Sequence, residues 1–154
     1  MKDIERVVIE IPEPWTKVVK FHLPNNEAEA RFSAPYCVMM ALQSGSLGPE
    51  DFSNQVYLNK DRRQLTELAT VQPFKVDSQF TEMNPDYPDT VTINMKDGSS
   101  FKEIIGYVKG GPNNPMSSED LKSKYDKCSS NSMFFDQFLS SSLDENASSL
   151  LSIF

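Results

Sequence analysis

The sequence predicts an α+β domain, a small antiparallel sheet with helices packed on one face. Three observations carry this. Ile4–Ile11 alternates around β-branched residues as a strand does. Thr90–Lys96 and Ser99–Val108 flank Asp97-Gly98, a strong hairpin signal. Between and after these strands lie segments with helix-start chemistry, at Asn25-Asn26, Asp61 and Ser117. Strands and helices that segregate along the chain pack as a sheet with helices to one side.

The elements follow in order. Pro12 and Pro14 end the first strand. Trp15–Leu23 reads as a connector or a short second strand. Asn25 or Asn26 caps a helix whose first turn carries Glu27 and Glu29, where the helix dipole favours carboxylates. Glu27 and Arg31 stand at i and i+4. Pro35 falls inside this pattern and kinks or restarts the helix. Tyr36–Leu42 is apolar nearly all round, as in a buried helix, and Gly45 and Gly48 stop it. Gly48–Phe52 reads as a short helical turn, and Asp61–Thr70 as a helix with Leu65 and Leu68 inward. Val71–Gln79 reads as a strand that Pro73 confines to an edge or bulge, and Met83–Pro88 as a loop.

The hairpin admits two registers. A two-residue loop sets Ile93 opposite Lys102, whereas a three-residue loop with Gly98 left-handed sets Ile93 opposite Phe101. The apolar match favours the second. Ser117–Cys128 reads as a helix opened by a Ser117–Asp120 capping pair, with Leu121 and Tyr125 as its apolar i, i+4 pair. Ser129–Phe154 is serine-rich, with a final amphipathic helix expected near Met133–Leu143. The domain division expected is therefore 1–128, with 129–154 as a helix and tail.

Composition bounds the function. The chain has 154 residues, 38% of them hydrophobic, and a net charge of −7. One ordinary core is feasible at this length. An acidic chain lacks the basic face that nucleic-acid phosphates require. No apolar run approaches the ~20 residues that span a bilayer, so no membrane partner is expected. The start MKDIERVVIEI is charged and strand-like rather than a signal peptide. Cys37 and Cys128 have no CxxC spacing and read as thiols of a reducing cytosol. With one histidine, His22, no zinc-ligand constellation is formed, and His22 has no evident orienting partner. Lys109-Gly110-Gly111 lacks the P-loop pattern and reads as a turn needing positive φ. Asp77, Asp86, Asp89 and Asp97 lack calcium-loop spacing and read as solvated carboxylates.

Three stretches, in collinear order, carry a family resemblance. EARFSAPYCVMMALQSGSLGPEDF resembles the MmgE/PrpD pattern of a basic residue, an aromatic and a serine, then proline-tyrosine before an apolar helix and a glycine. VTINMKDGSSF is similar to that family's hairpin around Lys-Asp-Gly, and YVKGGPNNPMSSEDLKSKY to its glycine-proline turn and following helix. The resemblance covers Ile4 to Cys128. It implies the smaller, C-terminal lid domain of an enzyme such as 2-methylcitrate dehydratase, cis-aconitate decarboxylase or iminodisuccinate epimerase. Such enzymes act on small di- and tricarboxylates without metal or organic cofactor. It also implies a larger all-helical N-terminal domain, absent from this sequence, that carries the catalytic histidines. The first strand's position at the chain start fits a cut before this domain. The expected partners are thus a small carboxylate, the helical domain and a second copy in a homodimer, and the expected location is the cytoplasm, or the mitochondrion in a eukaryote.

Within this frame Tyr36 is the candidate catalytic residue, and Arg31 and Ser33 are the candidate substrate-binding residues. Guanidinium binds carboxylate in a bidentate fork, and a tyrosine hydroxyl can protonate or hydrogen-bond a developing enolate. By resemblance Tyr36 faces the cleft, and Arg31 stands where lysine is common. Each residue also has an ordinary structural reading: Arg31 paired with Glu27, Ser33 bonded to local helix backbone, Tyr36 packed in the core. The chain alone is expected to be inactive. A non-catalytic interaction module, a subunit paired with a separately encoded helical domain, and an unrelated α+β binding domain remain as alternatives.

Overall fold

A computed structural model describes residues 1–77 and 85–129. The chain divides into two compact units, Met1–Asn114 and Pro115–Phe154. Among the described residues of the first, four strands form one sheet in the order β2-β1-β3-β4. They are β1 (Ile4–Pro12), β2 (Ala69–Phe74), β3 (Asp89–Met95) and β4 (Ser100–Ile105). The α+β class is as expected, but the sheet is mixed. β1 pairs antiparallel with β3 and parallel with β2, Val7 opposite Ala69. The parallel pair is made possible by the helical crossover between β1 and β2. Trp15–Leu23 is not a strand; a 3-10 turn at Glu13–Lys17 opens it.

Alternation along β1 sends Val7, Ile9 and Ile11 to one face, where all three are buried. The helices gather there. α1 (Glu27–Arg31) is capped by Asn26, whose side chain accepts the Glu29 N–H at 2.9 Å. α2 (Ala34–Ser44) restarts behind Ser33, with Pro35 in its first turn, where a missing N–H costs nothing. Gly45, at φ +78°, ends it. α3 (Lys60–Thr66) is capped by Asn59 and is shorter than its sequence pattern. Its tail is taken over by β2, because Ala69 and Thr70 pair with Val7 and Val8. α2 packs on α3, α1 and β2. Tyr36, Met39 and Met40 of α2 join Val7, Ile9, Ile11 and Ala69 in the core.

The hairpin takes the three-residue register, with Ile93 opposite Phe101 and Gly98 at φ +87°. Pro73 lies on β2, an edge strand. Gly110, at φ +93°, shapes the Lys109-Gly110-Gly111 turn, and its N–H donates to the Asn114 carbonyl at 2.7 Å. In the second unit α4 (Ser118–Cys128) opens on a reciprocal box: Ser117 Oγ accepts the Asp120 N–H at 3.1 Å, and the Asp120 carboxylate accepts the Ser117 N–H at 2.9 Å. Residues 78–84 and the expected helix at Met133–Leu143 lie outside the described residues.

Candidate functional site

The candidate residues lie at the junction of α1 and α2. Ser33 ends one helix and begins the next. Its buried hydroxyl accepts the Tyr36 N–H at 3.2 Å and donates to the His22 carbonyl at 3.0 Å. Ser33 is therefore a cap and a tether for the preceding loop. Arg31, in the last turn of α1, forms an exposed ion pair with Glu27. Its guanidinium also lies 5.8 Å from the centre of the Phe52 ring.

Tyr36 is in the first turn of α2 and is 1% exposed. Its hydroxyl donates to the Asp51 carbonyl and accepts from Arg62 Nη1 at 3.1 Å. The same Nη1 donates to Asp51 Oδ1 at 2.9 Å. The other Asp51 oxygen accepts the Gly48 N–H at 3.0 Å, which holds the 3-10 turn Pro49–Asp51 in place. Tyr36, Asp51 and Arg62 thus close a ring of hydrogen bonds linking α2, that turn and α3. Burial pushes the Tyr36 phenol above its ordinary value, and the Arg62 hydrogen bond opposes the rise. The phenol is neutral at ordinary pH. The Phe52 ring centre lies 6.2 Å from that of Tyr36, so Phe52 contacts both Tyr36 and the Arg31 guanidinium.

Tyr36 and Ser33 are brought together by one cap, and Arg31 reaches the same neighbourhood through Phe52. Asp51 and Arg62 were not singled out in the sequence. Arg62 lies 26 positions from Tyr36 and 11 from Asp51, separations at which no local periodicity exists to expose a pairing. The Gly48-Pro49 turn, which returns Asp51 toward α2, was the available signal. His22 is exposed. No grouping of three or more His, Cys, Asp or Glu with metal-binding geometry occurs among the described residues. No helix among them is long and apolar enough to cross a membrane.

The family model for the MmgE/PrpD C-terminal domain matches residues 1–137. The chain belongs to the MmgE/PrpD family. Cis-aconitate decarboxylase of Mus musculus is 33% identical to it over 126 residues, covering 79% of this chain and 24% of the mouse protein. The chain spans about a quarter of the length of that curated relative. In MmgE/PrpD terms, the stretch that carries the family pattern of basic residue, serine and tyrosine is the α1–α2 junction with its buried tyrosine and exposed arginine.

Proposed function

We propose that this chain is the lid domain of an MmgE/PrpD lyase or isomerase acting on a small di- or tricarboxylate, in the manner of the decarboxylase it resembles. The observation that carries the reading is its 33% identity to cis-aconitate decarboxylase over 126 residues. In this reading a helical partner domain supplies the rest of the cleft, and the lid supplies positive charge and a proton. Arg31, exposed and steadied by Glu27 and Phe52, binds one substrate carboxylate. Ser33 contributes by fixing the start of α2 and the loop at His22. Tyr36 is the proposed proton-handling residue. Its O–H is buried on the Asp51 carbonyl in this structure, so the role requires the helical domain's docking to uncover it. Arg62, already donating to the phenol oxygen, then stabilises the phenolate left behind. The unbridged thiols of Cys37 and Cys128 accord with a reducing compartment such as the cytoplasm.

Calorimetric titration of the purified chain with citrate, cis-aconitate and 2-methylcitrate tests the division of labour. The expected result is no binding in the millimolar range and no turnover until a helical domain is supplied. Turnover by the chain alone overturns the lid reading. With the helical domain present, Tyr36→Phe is expected to lower kcat by about 10²-fold or more, and Arg31→Ala to raise KM. Unchanged kinetics in both variants sinks the assignment of these residues.

A second reading, a non-catalytic module that associates with a copy of itself, is favoured by one feature. Phe101 and Ile104 are each 61% exposed on β4, the edge strand among the described residues, and alternate to opposite faces of it. An apolar edge with unpaired backbone groups is a template for strand addition.

A further inference from the structure

Helix α2 carries two apolar stripes. Tyr36, Met39 and Met40 fill the core. Ala34, Cys37 and Val38, at i, i+3 and i+4, instead form one wall of a cavity of about 540 Å³. Val91 of β3 and Ile105 of β4 form the facing wall, and Trp15 contributes from the 3-10 turn after β1. A mostly apolar concavity of this size matches small-molecule sites in general. It lies entirely within the first compact unit.

One charged side chain stands among the cavity's described lining residues. Asp89 opens β3 and lies on the same sheet face as Val91, two residues on. No hydrogen bond or ion pair from the described residues reaches its carboxylate. A carboxylate taken partly out of water costs free energy unless a cation or donor pairs with it. Its apolar surroundings raise its proton affinity above the ordinary aspartate value. The walls favour an apolar body and the carboxylate favours a positive head.

We propose that this cavity binds a small organic cation, a primary ammonium on an apolar or aromatic body, with Asp89 as counter-ion and the walls formed by Val38, Val91 and Ile105 holding the body. The ligand is opposite in charge to the carboxylates proposed for the α1–α2 junction, so the two sites stand or fall separately.

Calorimetry on the full chain with phenethylammonium and its neutral counterpart 2-phenylethanol tests this. The ammonium is expected to bind about tenfold tighter or more, as a charge-assisted hydrogen bond predicts. Asp89→Asn is expected to erase that preference while leaving the alcohol's affinity unchanged, and Val38→Trp to abolish both by filling the cavity. Circular dichroism establishes that each variant is folded. A readout independent of those variants is the alkylation of Cys37 in a Cys128→Ser background, expected to slow several-fold at saturating phenethylammonium. Equal affinity for the two probes, a preference that survives Asp89→Asn, no binding at millimolar concentration, or unaltered Cys37 alkylation at saturation overturns the proposal.

Discussion

Asp51 is buried, with its side chain 8% exposed, and its carboxylate is matched by one guanidinium nitrogen and one backbone N–H. Removing one member of such an arrangement leaves the others short of partners, which costs more than the intact pair contributes. Arg62→Ala is therefore expected to destabilise the fold by about 2–3 kcal/mol, and Tyr36→Phe by about 1–2 kcal/mol. The partial exposure of Arg62 keeps the first figure below that of a fully buried pair. Urea unfolding of the two variants and their double checks both, and the double variant should fall short of the sum because the two side chains share a hydrogen bond. Full additivity would mean that the ring is not an energetic unit. Cys37 gives a second test at this scale. Burial pushes its thiol up to about 11, from an ordinary value of 9.0. In the unfolded chain the thiol ionises first, so the folded state holds more protons between pH 9 and about 11 and stability falls as pH rises through that window. Tyr36, also raised, acts with the same sign at higher pH. Thermal melts should show the decline beginning near pH 9, and Cys37→Ser should delay its onset; an unaltered onset would place the effect elsewhere.

At the scale of elements, what the chain writes locally was legible and what it writes at a distance was not. Asn26, Ser33, Asn59 and Ser117 each bond backbone within three residues. Asn26 and Ser117 are readable as helix starts, whereas the sequence pattern opens α3 at Asp61, two residues past its Asn59 cap. The hairpin register followed from matching Ile93 with Phe101. Gly98 stands at φ +87° with open space where a Cβ would project, so the cost of substitution is conformational rather than steric. Gly98→Ala is expected to cost about 1–2 kcal/mol. Urea midpoints check this, and no loss would mean that the loop relaxes to the two-residue form. The parallel pairing of β1 with β2 had no such local signature. It depends on Val7 meeting Ala69 across 62 positions, and that pairing cut α3 short although Glu67-Leu68-Ala69 is good helix sequence. The same holds for the candidate site: the caps around Ser33 and the Glu27–Arg31 pair were open to sequence reasoning, whereas the Asp51–Arg62 pairing came only from tertiary placement.

For the molecule as a whole, net charge and the apolar edge pull in opposite directions. A net charge of −7 makes two copies repel at low ionic strength. Phe101 and Ile104 on β4 favour edge-to-edge association. Salt screens the repulsion beyond roughly 8 Å at physiological strength and leaves the apolar term in place. If the self-associating reading holds, sedimentation equilibrium should show association strengthening from low salt to about 0.3 M. Phe101→Glu combined with Ile104→Glu should then return the chain to a monomer, since each new carboxylate lies on an exposed position where it disturbs no core. The lid reading gives a different outcome: the edge belongs to a surface completed by a helical domain, and the isolated chain remains monomeric at micromolar concentration. Dimers that survive the double substitution would exclude β4 as the interface. Dimers that weaken with added salt would show that charge pairing, rather than apolar burial, holds the copies together.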